Sequence, residues 1–580
     1  MKKAWLLRNN NIDKKKLAKE AGVTEIIACL LASRGITDKD GAKKFLEASL
    51  SDMHNPLLMK DMDKGTEIIK NSILQGKKII IYGDYDADGV MSTVILYKAL
   101  LRCGASASYY IPDREKEGYG MCSERISILK EKGCEVILTC DNGISASDEI
   151  EYAKEIGITT VITDHHELAF TEENGIKKYI VPDADAVIDP KQKDCPYPFK
   201  SLCGAGIAYK FSVVLYKKMG ISDDEAIEFI EYAGIGTICD IVDLTDENRI
   251  IAKKALDMLS ASTDTGIRAL KKVLGIENKK INTYNVGFQI GPCINAAGRI
   301  STAQIAAELF MCSDFEKAYE RAEKLNELNK KRQDMTTKGV EEIVSEIEKS
   351  PVKNDKVIVV YNENINESIA GIAAGKIKDM YNLPTIVITS GKDICKGSGR
   401  SIKQYNLFEE LLKCRDLLGK FGGHPMAAGL SIKKENIDKL RKRLNDNCTL
   451  KKEDMMPKIR IDRRLGFNEI SERLIADIEK LGPFGKGNPA PVFAEKNVFI
   501  EKYDYAGKDK STVKLSLRSN NNTIEAICFK KCEEFDALIA QHNYINKDKA
   551  IDIIYYPYIN NYNGYKSIQI NVSEFRVSSQ

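Results

Sequence analysis

The stretch IIIYGDYDADGVMSTVILYKALLRC, residues 79–103, decides the architecture of the first part of the chain. An apolar run from Ile79 to Tyr82 ends in the acidic loop GDYDADG, and from Met91 to Cys103 the apolar residues recur at helical spacing. That order reads as buried strand, loop, helix. The pattern returns downstream: VILTC (136–140) stops at Asp141-Asn142-Gly143, and ITTVI (158–162) stops at Thr163-Asp164-His165-His166. YIVP (179–182) leads towards Asp189-Pro190 as a further strand. Strands alternating with helical stretches predict an α/β lobe with a largely parallel sheet. Ligands bind such sheets outside the carboxyl ends of the strands. Three successive strand ends here carry acids or histidines, which favours a site over scattered surface charge.

Residues 204–260 read as helical, with a break at GIGTICDIVDL (234–244). Residues 303–349 are long, charged and periodic, and predict a solvated helix joining two lobes. KVIVVY (356–361) opens a second α/β unit that runs through TIVIT (385–389) and ends near residue 450. From about 456 the segments turn strand-like, with Asn and Gly turns, and predict a small all-β barrel of the OB-fold kind. The expected division is therefore 1–302, a catalytic lobe with its N-terminal segment; 303–350, a connecting helix; 351–450, a second α/β lobe; and 456–580, the barrel.

Composition bounds the class. The 580 residues are 43% apolar and 29% charged, which is the balance of a globular chain with several cores. No apolar run reaches membrane-spanning length, and MKKAWLLRNNN lacks the apolar core of a secretory signal. Fifteen cysteines, with no CxxC pair, read as reduced thiols in the cytosol. The net charge of +3 is too small to announce a nucleic-acid partner, so any basic groove must come from local clustering. Histidine is the informative count: of five, two are adjacent beside Asp164, and a third, His424, sits in the glycine turn GGHP.

The acids Asp84, Asp86, Asp88, Asp141 and Asp240, together with Asp164-His165-His166, suggest a metal centre. Alternating acids on one loop can aim two carboxylates at a shared cation, and a carboxylate from another strand end can bridge two cations. Histidine with carboxylate suits manganese, whereas magnesium prefers mainly oxygen ligands. Two such ions about 3.5–4 Å apart activate a water and steady the leaving oxygen of a phosphoester. Each piece alone has a plainer reading: a solvated turn, a tight Asn-Gly turn, a helix cap, surface histidines. An EF-hand is excluded, because the twelfth position from Asp84 is Ile95 and not a glutamate. Taken together, in order, at successive strand ends, the pieces favour a dinuclear site. Arg400, between glycine and serine with Lys396 upstream, suits a forked phosphate contact. The tyrosines 555, 556, 558, 562 and 565 crowd one hairpin of the barrel. Strand alternation puts about half of such a set in the core, so none is assigned to base stacking.

These motifs resemble a known family. GDYDADG, CDNG (140–143), TDHH and Asp240 are similar to the successive motifs of the DHH phosphoesterases. IPDREKEGYG (111–120), IDPKQ (188–192), CGAGIAYK (203–210) and PCINAAGRI (292–300) resemble segments of the RecJ family, bacterial exonucleases specific for single-stranded DNA. GSGRS (397–401) and FGGHPMAAGL (421–430) resemble the DHH-associated second domain, and LGPFGKGNPAPVF (481–493) the entry to the OB-fold. The resemblance covers nearly the whole chain in order, and departs where Ile365-Asn366 replaces a Trp-His pair and where Asp189 stands at a common asparagine.

What the resemblance implies can be placed on residues. Asp84, Asp86, Asp88, Asp141, His165 and Asp240 match metal ligands for two divalent cations, manganese or magnesium. His166 and Asp141 match catalytic positions. Arg114, Arg299, Gly399, Arg400, Ser401 and His424 match substrate contacts. The implied activity is 5′-to-3′ hydrolysis of single-stranded DNA to 5′-mononucleotides in repair and recombination, in the cytoplasm and away from membranes. Single-strand-binding protein and a helicase are the implied partners. Two other readings stay open. An oligoribonuclease or cyclic-dinucleotide phosphodiesterase of the same superfamily would not need the barrel. A catalytically inactive DNA-binding scaffold would not need the intact acids and histidines.

Overall fold

The computed structural model describes residues 3–9, 12–114, 117–118, 120–173, 176–391, 394–507, 510–542, 550–562 and 564–578. The chain forms two compact units. The first comprises Met53–Asp243 and Glu247–Pro457; the second comprises Lys2–Asp52, Leu244–Asp246 and Lys458–Gln580.

The first unit opens on a five-stranded parallel sheet. Its order is Ser106–Tyr110, Lys78–Tyr82, Val136–Thr139, Thr159–Thr163, Ala186–Ile188. The central strands read as continuous apolar runs because helices cover both faces, and their residues are almost all buried. Burying each Ile or Leu there contributes about 1.5–3 kcal/mol. Two expectations change. The fifth strand is Ala186–Ile188; Tyr179 instead ends a separate two-stranded ribbon, Phe170–Glu173 with Ile176–Tyr179. The helix Ile230–Cys239 runs through GIGTIC and stops only at Asp240, because its glycines sit where neighbours leave no room for a side chain: a Cβ on Gly236 would lie 2.4 Å from Asp88 Oδ1.

Two helices, Gln304–Met311 and Phe315–Lys349, lead to the second lobe. The long helix is more than a solvated spacer. Ala318, Ala322, Leu325, Leu328 and Ile343 form a buried stripe along it. The second lobe carries a mixed five-stranded sheet, ordered Leu418–His424, Ala427–Ile432, Cys395–Arg400, Thr385–Thr389, Ile358–Tyr361. The helix Glu367–Tyr381 packs on one face, capped by Asn366, whose Oδ1 accepts the Ser368 N–H at 2.8 Å.

The second unit is a closed barrel with an added helical layer. Its long strands are Phe493–Ala506, Thr512–Ser519, Asn522–Phe529, Ile551–Tyr562 and Tyr565–Val577. The first of these also pairs with Ile551–Tyr562, which closes the ring, and the helix Cys532–His542 stands between the third and fourth. The N-terminal residues were expected with the catalytic lobe, but they belong to this unit. The reason is burial: Ile27, Leu30, Leu31 and Ala42 share one core with Phe493, Leu515, Phe535 and Tyr555. Ala4–Leu7 pairs in parallel with Lys458–Ile461. Tyr555 is a core residue whose hydroxyl donates to the Leu465 carbonyl at 2.6 Å, whereas Tyr565 is 83% exposed. The Tyr562 side chain lies outside the described residues.

Candidate metal centre and phosphate groove

The acidic loop follows the strand Lys78–Tyr82 and caps the next helix. Asp86 is that cap: its Oδ1 accepts the N–H groups of Asp88 at 2.8 Å and Gly89 at 3.1 Å. Gly89 lets the helix turn back on the loop, since a Cβ there would lie 2.6 Å from the Asp84 Cβ. Asp88 reaches across to the N-terminus of the helix Gly204–Lys218, where its oxygens accept Gly204 N–H at 2.6 Å and Ala205 N–H at 2.9 Å. A helix N-terminus favours such a charge. Asp141 follows the strand Val136–Thr139 in the left-handed region, φ 61°, which asparagine and aspartate tolerate best after glycine. Asp240 ends the helix Ile230–Cys239.

These side chains converge. His165 Nε2 lies 2.9 Å from Asp141 Oδ1, 3.7 Å from Asp88 Oδ2 and 3.9 Å from Asp240 Oδ2. Three sets offer ligand atoms within 4.8 Å of one another: Asp84, Asp86 and Asp141; Asp141, His165 and His166; and Asp88, His165 and Asp240. Asp141 belongs to two of them, between the acidic loop and the histidines. Asp164 plays a different part. It is buried, and its Oδ1 meets His166 Nδ1 at 2.7 Å and accepts the His165 N–H at 2.7 Å, while Oδ2 accepts the Ile144 N–H at 2.9 Å. It orients both histidines.

The electrostatics suit divalent cations. Burial, then the charge of Asp86, raises Asp84 to about 8 and Asp88 to about 6. Burial, then Asp88, raises Asp240 to about 7 and lifts Asp141 well above its ordinary value. Burial and the neighbouring His166 hold His165 down. Against burial, the Asp164 hydrogen bond raises His166 to about 9. Asp84 Oδ1 is buried with no hydrogen-bond partner among the described residues. Crowded carboxylates, one with an orphaned oxygen, beside a histidine kept neutral are the donor set of divalent transition-metal sites.

Facing this centre is a cluster of guanidiniums. Arg299, on the helix Gly291–Ile300, donates to the Ser368 carbonyl at 2.9 Å. Burial, then Arg114 and Arg332, lowers it to about 10. Burial, then Arg114, lowers Arg400. Arg114 lies 5.3 Å over the Tyr85 ring. None of Arg114, Arg299, Arg332 and Arg400 makes a salt bridge among the described residues, so like charges gather without a carboxylate partner. Such a cluster is an anion site in search of its anion. Arg332 was hidden in the sequence because KKRQ reads as the solvated face of a long helix.

In the second lobe, Gly399 and Ser401 have packing roles. Gly399 has no room for a side chain on the core side, where a Cβ would lie 2.5 Å from Leu407 Cδ2. Ser401 is 2% exposed and its hydroxyl donates to the Tyr405 carbonyl at 2.7 Å, so it braces the loop. The serine on the open face is Ser398. Arg400 and His424 end the two strands that flank Ala427–Ile432, each paired with Ala427, and His424 Nδ1 accepts the Met426 N–H at 3.3 Å.

Fold and site together define a DHH-type phosphoesterase. Residues 78–237 match the N-terminal domain of the DHH family, 354–449 the DHHA1 domain and 461–574 the RecJ OB domain. A relative from Bacillus subtilis (strain 168), named single-stranded-DNA-specific exonuclease RecJ, is 38% identical over 100% of this chain and 71% of its own length. The chain belongs to the RecJ family. In fold it matches the manganese complex of RecJ from Thermus thermophilus, at TM-score 0.82 and 23% identity, over 100% of this chain and 80% of that one. A second solved structure, an exonuclease RecJ bound to manganese, is 29% identical, with TM-score 0.57, over 67% of this chain and 94% of that one.

Proposed function

We propose that this chain is a metal-dependent exonuclease that hydrolyses single-stranded DNA from its 5′ end and releases 5′-mononucleotides. The observation that carries the reading is Asp141, shared by a set of acids on one side and a set with histidines on the other, near arginines that form no salt bridge among the described residues. Asp84, Asp86, Asp88, Asp141, His165 and Asp240 would hold two divalent cations, manganese or magnesium. Those ions supply the activation of a water and the neutralisation of charge developing on the phosphoryl group.

The chain's own residues do the rest. Arg114 and Arg299 grip the phosphate being cut, and Arg400 and His424 hold the strand from the second lobe. A guanidinium suits this because its planar fork meets two phosphate oxygens at once. His166, oriented by Asp164, presents its ring to the scissile phosphate. No covalent enzyme intermediate is needed. The barrel offers a track for the strand, with salt-dependent affinity from phosphate contacts. A helicase or a single-strand-binding protein would supply or present such strands. All fifteen cysteines are free and most are buried, which supports a reducing, cytoplasmic setting. No helix among the described residues is long and apolar enough to cross a membrane.

The test is a 5′-labelled single strand, a duplex and a dinucleotide, each incubated with manganese. The single strand alone should be degraded, with the label released as a mononucleotide. Preference for the dinucleotide would move the reading to an oligonucleotide phosphodiesterase, and no turnover at all would leave only a binding scaffold. Asp141→Ala should abolish turnover with the circular dichroism spectrum unchanged and strand binding retained. Near-normal turnover in that variant would overturn the two-metal assignment.

A further inference from the structure

A cavity of about 370 Å³ lies along the second-lobe sheet, on the strand that ends in Arg400. Arg114, Lys396, Ser398, Lys420 and Ser431 line it, and among the described residues Glu367 is the one acid on its wall. The strand register explains how these residues meet. Lys396, Ser398 and Arg400 alternate along Cys395–Arg400, so they share one face. Lys396 pairs with Ser431, Ser398 with Gly429, and Gly429 in turn with Gly422 of the next strand. The intervening Gly397 and Gly399 face the core, where a Cβ would meet Leu430 at 2.8 Å and Leu407 at 2.5 Å. On the cavity side a Cβ at Gly422 or Gly429 would meet nothing within 4 Å, so the floor is open.

Among the described residues the walls are mainly cationic. Neither Lys396 nor Lys420 has a carboxylate partner within salt-bridge distance among the described residues. Among the described residues, three cations against one carboxylate, with the Ser398 hydroxyl, make a surface for phosphate oxygens, while the Ser431 hydroxyl donates to the Lys420 carbonyl at 3.1 Å. Lys396 lies four residues along the strand from Arg400, roughly 13 Å between α-carbons at about 3.3 Å per residue. Two long side chains can therefore hold two neighbouring phosphates.

We propose that this groove binds further phosphates at the 5′ end of the strand, so that ends carrying a di- or triphosphate are accepted as well as monophosphate ends. This rests on the nuclease reading above. Arg400 holds the phosphate next to the terminal nucleoside, and Lys396 and Lys420 hold those beyond it.

The experiment compares single-stranded oligonucleotides of one sequence with a 5′-monophosphate or a 5′-triphosphate, using the full chain with manganese. The Lys396→Ala/Lys420→Ala double variant serves beside the wild type. The wild type should degrade both ends with kcat/KM values within tenfold. In the double variant kcat/KM for the triphosphate end should fall tenfold or more, while that for the monophosphate end changes less than twofold. Equal losses on both ends would overturn the proposal, because the lysines would then serve the strand in general. A wild type that cuts the monophosphate end and refuses the triphosphate overturns the groove assignment alone. One that cuts neither overturns the nuclease reading and this inference with it.

Discussion

At the scale of single residues, the chemistry depends on what each side chain is prevented from doing. Asp164 looks like a ligand in TDHH, yet its side-chain hydrogen bonds go to the two histidines and the Ile144 amide, so it sets their aim. Arg400 is half-buried near Arg114 and directs one nitrogen to the Gly399 carbonyl at 2.8 Å. It cannot ligate a metal, because its guanidinium stays protonated. Arg400→Ala should therefore lower kcat/KM by losing a charge-assisted contact of about 1.5–3 kcal/mol, roughly ten- to a hundredfold, with bound manganese unchanged. Arg400→Lys should recover only part, since lysine keeps the charge and loses the fork. Metal analysis of the purified variants beside steady-state kinetics checks both statements. Loss of metal from Arg400→Ala would mean that the two lobes are not independent in their roles. The acids and histidines of the candidate centre were legible in the sequence because each sits in a short motif, most of them at a strand end and Asp240 at the end of a helix. Arg332, Ser398 and Lys420 were not, because each looks like an ordinary surface residue until the fold brings another strand or helix beside it.

At the scale of elements, helix N-termini and glycines bring the acids together. Asp86 caps one helix, and Asp88 bonds the first amides of another. That second helix begins at Gly204, where a Cβ would lie 2.7 Å from the Asp141 Cβ. Gly204→Ala must push either the helix or Asp141 aside. It should weaken manganese binding and reduce turnover by at least tenfold, while the rest of the lobe keeps its fold. Calorimetric titration with manganese and a circular dichroism spectrum test this; unchanged metal affinity would show that the contact is not needed to position Asp141. The strands at 78–82, 136–139 and 159–163 were legible because buried parallel strands read as apolar runs that stop at loop residues. YIVP was misplaced for the same reason: an apolar run alone does not say which sheet it joins. The break after Cys239 was placed too early because glycine reads as a helix breaker, whereas Gly236 is a close-packing position against Asp88.

At the scale of the whole molecule, the metal-free protein carries the cost of a cluster of buried like charges, and that cost depends on pH. Asp84, Asp88 and Asp240 have folded values raised to about 8, 6 and 7. A carboxyl with a raised folded value favours the folded state fully below its unfolded value near pH 4, and loses that contribution as pH rises through the folded value. The metal-free protein should therefore lose thermal stability between about pH 6 and pH 8, and manganese should restore it, with a larger increase in Tm at pH 8 than at pH 6. Thermal melts with chelator or manganese across that range measure it, and an equal shift at both pH values would contradict the picture of protons and metal competing for the same oxygens. The sequence by itself determined the order of strands and helices, the class of each region and the acids and histidines of the candidate centre, because local periodicity and short motifs carry those features. Only the tertiary structure decided that the N-terminal helices belong with the barrel, that four arginines from separate elements lie near one another, and that Gly399 and Ser401 have packing roles while Ser398 faces the open floor. Those facts depend on which apolar faces bury each other and on the alternation of side chains across paired strands, neither of which a single segment records.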